Sequence, residues 1–216
     1  MLPDNRRAGM LTAMHDLPDE AALRAHFGAM SAMVAAKALP ALDRHCRAFI
    51  ALSPFLVLAT ADAEGRVDAS PRGDGPGFVA VESDTALLIP DRPGNRRIDS
   101  FRNIVTSPSV GLLFFVPGIN ESLRVNGTAE IVTDAPTLAP LAAQGKAPAT
   151  GLRVRVTEAF FHCGKAAIRS GLWDAARQVP RTAFPTLGQV IADQTRLTTA
   201  AEADTSIETA YRDRLY

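Results

Sequence analysis

Leu88-Ile-Pro-Asp-Arg-Pro-Gly-Asn-Arg-Arg-Ile-Asp-Ser-Phe-Arg-Asn103 decides how the chain is read. It opens as the end of an apolar strand, turns between Pro90 and Gly94, and is expected to continue as a helix from Asn95 to about Val105. Arg96 and Arg97 would then sit in the first helical turn, where aligned peptide dipoles leave partial positive charge. Two arginines there cost stability unless an anion lies between them and the free N–H groups. A phosphate satisfies the donors, the dipole and the guanidinium forks together. The two side chains would leave the helix about 100° apart, so a single phosphate meets only one or two of the local arginines. Arg92 and Arg102 complete the set, and Asp99 can pair with Arg96 or Arg102 as an ordinary surface ion pair.

Outward from this stretch, the apolar pattern has a period of two. Strands are expected at 55–61, 66–71, 77–82, 85–90, 110–116, 123–132 and 151–161, with Asp62 to Gly65 and Ser83-Asp84 as hairpin turns. Val110 to Val116 is apolar throughout and reads as a strand buried on both faces. Gly127 interrupts the longest alternating run, as a bulge or bend does. Seven strands in meander-like order, interrupted once by a helix, favour a closed or partly closed antiparallel barrel over a doubly wound sheet. Residues 18 to 52 read as two helices split at Pro40, and Asp134 to about Lys146 as a short helix. Pro185 to Tyr216 reads as polar helix with an exposed segment at Leu197 to Asp204. The organisation expected is a single domain over 1–216, with a helical segment at 1–48, a barrel core at 49–165 and a helical extension at 166–216.

With 216 residues and 47% hydrophobic content, the chain can bury a substantial core. Lys+Arg and Asp+Glu both number 23, so no global charge calls for nucleic acid or an anionic membrane, and any cationic site is local. Two cysteines, Cys46 and Cys163, make no disulfide framework, and no apolar run is long enough to span a bilayer. Met10-Leu-Thr-Ala-Met gives way at once to His15-Asp16, which is no secretory core, so a cytoplasmic location is expected.

Several candidate sites each have a plainer reading. Gly73, Gly75 and Gly77 fail as a dinucleotide fingerprint because a strand follows them, not a helix. Ser70 and Arg72, at a strand end, either face solvent or point a hydroxyl and a guanidinium at the anion of Arg96 and Arg97. His45-Cys46 and His162-Cys163 lack the short spacings of a metal site, and both cysteines read as small buried residues. Cys163 as a nucleophile beside Lys165 has no recognisable acid–base partner. Trp173 either anchors packing or stacks on a planar ring, with Lys165 and Arg169 nearby as donors.

Ser70-Pro-Arg-Gly-Asp, Ile89-Pro-Asp-Arg-Pro-Gly-Asn-Arg-Arg, Arg102-Asn, Ser107-Pro, Leu113-Phe-Phe and Leu123-Arg-Val-Asn-Gly together resemble the FMN-binding split barrel of pyridoxamine 5′-phosphate oxidase-like proteins, from about Ala48 to Glu130. His162 to Trp173 further resembles a bacterial subgroup of that family. The resemblance implies a mainly β fold with flanking helices, an antiparallel split β-barrel, and a homodimer with FMN at the subunit interface. It implies that Arg72 and the pair Arg96 and Arg97, opened by Asn95, hold the FMN phosphate with Ser70 alongside. Ile89, Pro90 and Asp91 would run beside the ring system, Ser122 would approach the flavin, and Arg169 and Trp173 would close the site from the partner subunit. An Arg-Leu-His-Asp-Arg-like C-terminal segment is missing, and Val67 stands where a basic residue opens the family's second strand. Those departures point away from vitamin B6 oxidation. The expectation is an FMN-dependent oxidoreductase of unknown small-molecule substrate, with NAD(P)H as a candidate reductant and no metal, nucleic acid or membrane partner. The alternatives are a non-catalytic flavin- or haem-binding storage protein, with His45 and His162 as haem ligands, and a deazaflavin on the same barrel.

Overall fold

A computed structural model of the protein describes residues 19–216, so the chain start and the Met10 to Asp16 stretch lie outside the described residues. Among the described residues, one compact unit ends at Lys37 and a second runs over Ala38–Tyr216. In the first, α1 (Glu20–Phe27) is capped by Asp19, whose side chain accepts from the Ala22 N–H at 2.8 Å. Gly28 then ends α1 in the left-handed region at φ 79°, and Ser31 caps a new short helix, α2 (Ala32–Ala36). Together with α3 below, this makes three helices where two were expected, because Gly28 breaks the ladder before Pro40 does.

The second unit starts with α3 (Arg44–Leu52), which turns Cys46, Phe49 and Ile50 into the core. Its cap is Asp43, which accepts from the His45 and Cys46 N–H groups at 3.0 and 2.8 Å. The strands follow as β1 (Phe55–Ala61), β2 (Val67–Gly73), β3 (Ala80–Ser83), β4 (Ala86–Pro90), β5 (Ser109–Phe115), β6 (Ser122–Val132) and β7 (Gly151–His162). Helix α4 (Asp99–Thr106) lies between β4 and β5, and α5 (Ala135–Leu138) between β6 and β7. After β7 come α6 (Lys165–Ser170), α7 (Leu187–Thr195) and α8 (Ala200–Asp213). All pairings are antiparallel, in the order β2-β1-β5-β6-β7-β4-β3. The sheet is not closed by hydrogen bonds; it is a split β-barrel with flanking helices.

Alternation builds the interior. Leu56 and Leu58 of β1, Leu112 and Phe114 of β5, Leu123 and Val125 of β6 and Val154 of β7 are all within 1% of full burial. Burying such side chains contributes roughly 1.5–3 kcal/mol each. Strand β5 differs from expectation: Val110, Leu112 and Phe114 are buried, but Gly111, Leu113 and Phe115 on the other face are only half-buried. The β6–β7 register shifts between Asn126 and Gly127, which is the anticipated bulge, and a Cβ at Gly127 would run into the Arg155 carbonyl oxygen.

Two helical expectations change at the ends. Helix α5 stops at Leu138 and passes into a 3-10 turn containing Pro140, whose missing N–H and ring prevent extension to Lys146. Leu197 is 88% exposed, but Thr199 and Glu202 form a capping box and Ala203 is buried, so the stretch expected to be exposed runs into the first turn of α8, where Ala201 and Glu202 remain exposed. Cys46 is buried as expected, and burial pushes its thiol up to about 11, whereas Cys163 is exposed because β7 has ended before it. Among the described residues, no helix is long and apolar enough to cross a membrane, and no group of three or more His, Cys, Asp or Glu could hold a metal.

Candidate functional site

Strand β2 is an edge strand with Asp68, Ser70 and Arg72 on one face, and four strands separate it from β4 in the sheet order. Even so, Arg72 reaches Asp91, just past β4, at 2.8 Å, and Asp74, just past β2, meets Arg92 at 2.6 Å. The sheet is rolled until its β2 edge meets the chain leaving β4 through these pairs. Helix α4 lies across β1, β2 and β6 and secures the same corner. Ser100 donates to Asp68 at 2.9 Å and lies 3.1 Å from the Ser70 hydroxyl, while Asn103 donates to the buried Thr60 at 2.9 Å.

The loop into α4 overturns one expectation. Arg96 and Ile98 take left-handed φ values of 60° and 53°, and the Asn95 side chain accepts from the Arg97 N–H at 3.1 Å. Both features compete with a helical ladder, so α4 begins at Asp99 rather than at Asn95. Arg96 and Arg97 precede the first turn, and the angle expected between them on a helix does not apply. Asp99 occupies the first turn instead, where the dipole favours an acid, and pairs with Arg97 at 2.8 Å rather than with Arg96 or Arg102. Ile98 at the cap position offers no side-chain hydrogen bond, so α4 starts without a side-chain cap.

These elements enclose a cavity of about 950 Å³. Ser70, Arg72, Asp91, Asn95, Arg96 and Arg97 all line it, joined by Asp68, Arg92, Asp99, Ser100 and Phe101. Arg72 has a half-buried side chain, its Nε is buried without a hydrogen-bond partner, and its guanidinium lies 5.8 Å from the Phe101 ring centroid. A buried donor without an acceptor is costly, and an anion entering the cavity is the kind of group that would relieve it.

The two Arg–Asp pairs titrate in opposite directions. Burial pushes the Asp91 carboxyl above the ordinary range, and Arg72 offsets this only in part. Burial also raises Asp74, but hydrogen bonds from the Tyr216 hydroxyl, the Gly75 N–H and Arg92 outweigh it and hold the carboxyl low. At Arg97 the Asp99 hydrogen bond and charge strengthen the hold on its proton.

The remaining expected residues lie elsewhere. Ile89 and Pro90 are buried within β4, paired with Leu152 and Gly151 of β7. Ser122 opens β6 opposite His162, three strand steps from β2. Trp173, after α6, donates from Nε1 to the Ile119 carbonyl at 2.9 Å, and neither it nor Arg169 of α6 lines the cavity within this chain. Sequence reading missed the end of α8, where Ala210, Tyr211, Arg214 and Leu215 form a cavity wall. The available signal was an aromatic and a cation three apart on a polar helix, which by itself is indistinguishable from a solvated face.

The fold and this corner define a class, the split barrels with a cationic cleft between an edge strand and a crossover helix. The family model described as pyridoxamine 5′-phosphate oxidase matches residues 42–163, and the chain belongs to that family. No curated protein matches the chain. Among solved structures it is similar to the HupZ protein of Group A Streptococcus, at 22% identity over 56% of this chain and 93% of that one, with a TM-score of 0.45. A putative pyridoxamine 5′-phosphate oxidase from Lactobacillus delbrueckii is similar at 22% identity over 56% and 95% of the two chains, with a TM-score of 0.45. An FMN-binding protein from Syntrophomonas wolfei is similar at 11% identity over 54% and 83%, with a TM-score of 0.44.

Proposed function

We propose that the chain binds FMN in this cavity, through its phosphate, and works as an oxidoreductase on a small-molecule substrate. One observation carries the reading: Arg72, Arg96 and Arg97 converge with the uncapped start of α4 in a single cleft, and the Arg72 Nε there lacks an acceptor. A cavity of about 950 Å³ is at the upper end of those that hold cofactors and drug-sized ligands. Membership of the pyridoxamine 5′-phosphate oxidase family supports a flavin in particular.

The chain's own residues bind and orient. The phosphate takes the Arg72 guanidinium and the first N–H groups of α4, with Arg96 and Arg97 closing over it. Arg97 gives up only an exposed pair with Asp99, and exposed pairs are worth about 0–1 kcal/mol, so the exchange is easy. Ser70 and Ser100 set the base of the cleft, and Asp91 sits beside Arg72 with its proton affinity raised by burial. A bound flavin supplies hydride or single-electron transfer, for which NAD(P)H is a candidate donor.

The working form in this reading is a homodimer. Phe55, Val57, Leu113 and Phe115 line up on the outer face of β1 and β5, with Phe55 39% exposed, and a second copy would cover them. Light scattering should then give twice the mass of the chain.

The test of the cofactor is direct. Purified protein should carry flavin absorbance or acquire it from FMN, and Arg96→Ala with Arg97→Ala should weaken FMN at least about tenfold while the thermal midpoint stays put. A Soret band, deazaflavin absorbance or unchanged FMN affinity in the double variant would overturn this reading.

A further inference from the structure

The last turn of α8 runs along the cavity, and nothing in the phosphate site requires it. Tyr211 is 64% exposed, yet it is part of the cavity wall, and Arg214 lines the same wall with no ion pair among the described residues. Arg214 is at the C-cap of α8, where the helix dipole is negative, so the guanidinium is tolerated there without a carboxylate. The segment is also pinned. The Tyr216 hydroxyl donates to Asp74 at 2.7 Å, the Arg92 guanidinium stands 5.7 Å from the Tyr216 ring centroid, and Lys146 donates to the Tyr216 main-chain oxygen at 2.9 Å. The pair that closes the barrel thus also fixes the end of α8 against the cleft.

The charge in the cleft is uneven. Five arginines and three aspartates line it, but Arg72 is tied to Asp91, Arg92 to Asp74 and Arg97 to Asp99. Arg96 and Arg214 are the two lining cations without an ion pair among the described residues, one on the α4 loop and one on α8. Two unpaired guanidiniums from separate elements, with a phenol ring beside one of them, suit a planar ligand that carries negative charge.

We propose that the end of α8 is a ligand-contacting wall supplied by the same chain, in which Tyr211 packs against the planar ring and Arg214 meets an anionic group of the ligand. Tyr216 is a positioning residue that holds this wall through Asp74. The proposal rests on the FMN reading above and adds to it two α8 residues, Tyr211 toward the ring and Arg214 as a further contact to the phosphate.

The test is FMN and riboflavin titration, by flavin fluorescence, of the full chain and of Tyr211→Ala, Arg214→Ala and Tyr216→Phe, with the Arg96→Ala/Arg97→Ala protein alongside. Tyr211→Ala should weaken FMN and riboflavin alike, by about fivefold. Arg214→Ala should weaken FMN by about tenfold and leave riboflavin unchanged, because only the phosphate-bearing ligand offers it an anion. Tyr216→Phe should weaken FMN several-fold at an almost unchanged thermal midpoint. If Tyr211→Ala and Arg214→Ala bind FMN like the parent while the Arg96/Arg97 variant is impaired, the α8 wall is overturned and the FMN site stands. If the parent chain binds neither flavin, both readings fall.

Discussion

Arg72–Asp91 and Arg92–Asp74 are the same chemistry a few ångströms long, on neighbouring loops, and they do opposite work. Asp74, whose side chain is 8% exposed, receives three donors: Arg92, the Tyr216 hydroxyl and the Gly75 N–H. Asp91, 32% exposed at its side chain, receives one from Arg72, whose Nε is left unmatched. The saturated pair holds the rolled sheet together. The unsaturated pair leaves a guanidinium with bonding capacity to spare, which is what a site for an exchangeable anion needs. Burial raises both carboxylates; at Asp74 three donors outweigh it, and at Asp91 the single Arg72 pair does not.

The largest effect is expected at Asp74. Asp74→Ala strips the acceptor from Arg92, Tyr216 and Gly75 at once and should lower the unfolding free energy by about 2–3 kcal/mol in urea titrations. Asp91→Asn should change it by less than about 1 kcal/mol, since one half-exposed pair is altered. Equal losses would mean that the two pairs are structurally equivalent.

Ligand affinity should invert that order. Arg72→Ala should weaken FMN by about tenfold or more, roughly 1.4 kcal/mol, while leaving the apoprotein nearly as stable. Arg92→Ala should do the reverse, with a clear stability loss and an FMN effect traceable to the displaced end of α8. An Arg72→Ala protein that binds FMN normally would move the phosphate off β2.

How much of this was legible beforehand depends on whether the cause is local. The seven strands and the Gly127 bulge follow from period-two alternation and a missing Cβ, both of which are visible in the residues themselves. Ser70, Arg72, Arg96 and Arg97 were readable as one constellation, and they do share a cavity. The start of α4 was not. Asn95 reads as a helix opener, yet its side chain bonds back to the Arg97 N–H, and two left-handed residues delay the helix to Asp99. The arginines therefore reach the cleft from a loop and not from the first turn of a helix. The Asp74–Arg92–Tyr216 cluster was out of reach altogether, because Tyr216 lies 142 residues from Asp74 and only the folded chain brings them together.

The finest test of the comparison is pH. Asp74 has a folded pKa below its ordinary value of 3.8, so its contribution to stability is full above that value and is lost as pH falls through the folded pKa. Asp91 has a folded pKa above 3.8, so its contribution is full below that value and is lost as pH rises through the folded pKa. Measured from pH 3 to pH 7, the deficit of Asp74→Asn relative to the parent should grow as pH rises. Asp91→Asn should drift the other way, gaining on the parent over the same range. FMN affinity adds a third slope. A phosphate that takes Arg72 leaves Asp91 beside a second negative charge, which favours its protonated form, so FMN should bind the parent more tightly as pH falls toward the Asp91 pKa. The Asp91→Asn protein should lose that component of the pH dependence. Stability slopes of the same sign for the two asparagine variants would show that donor count does not separate the pairs, and that Asp91 is not held as a poised acid beside Arg72.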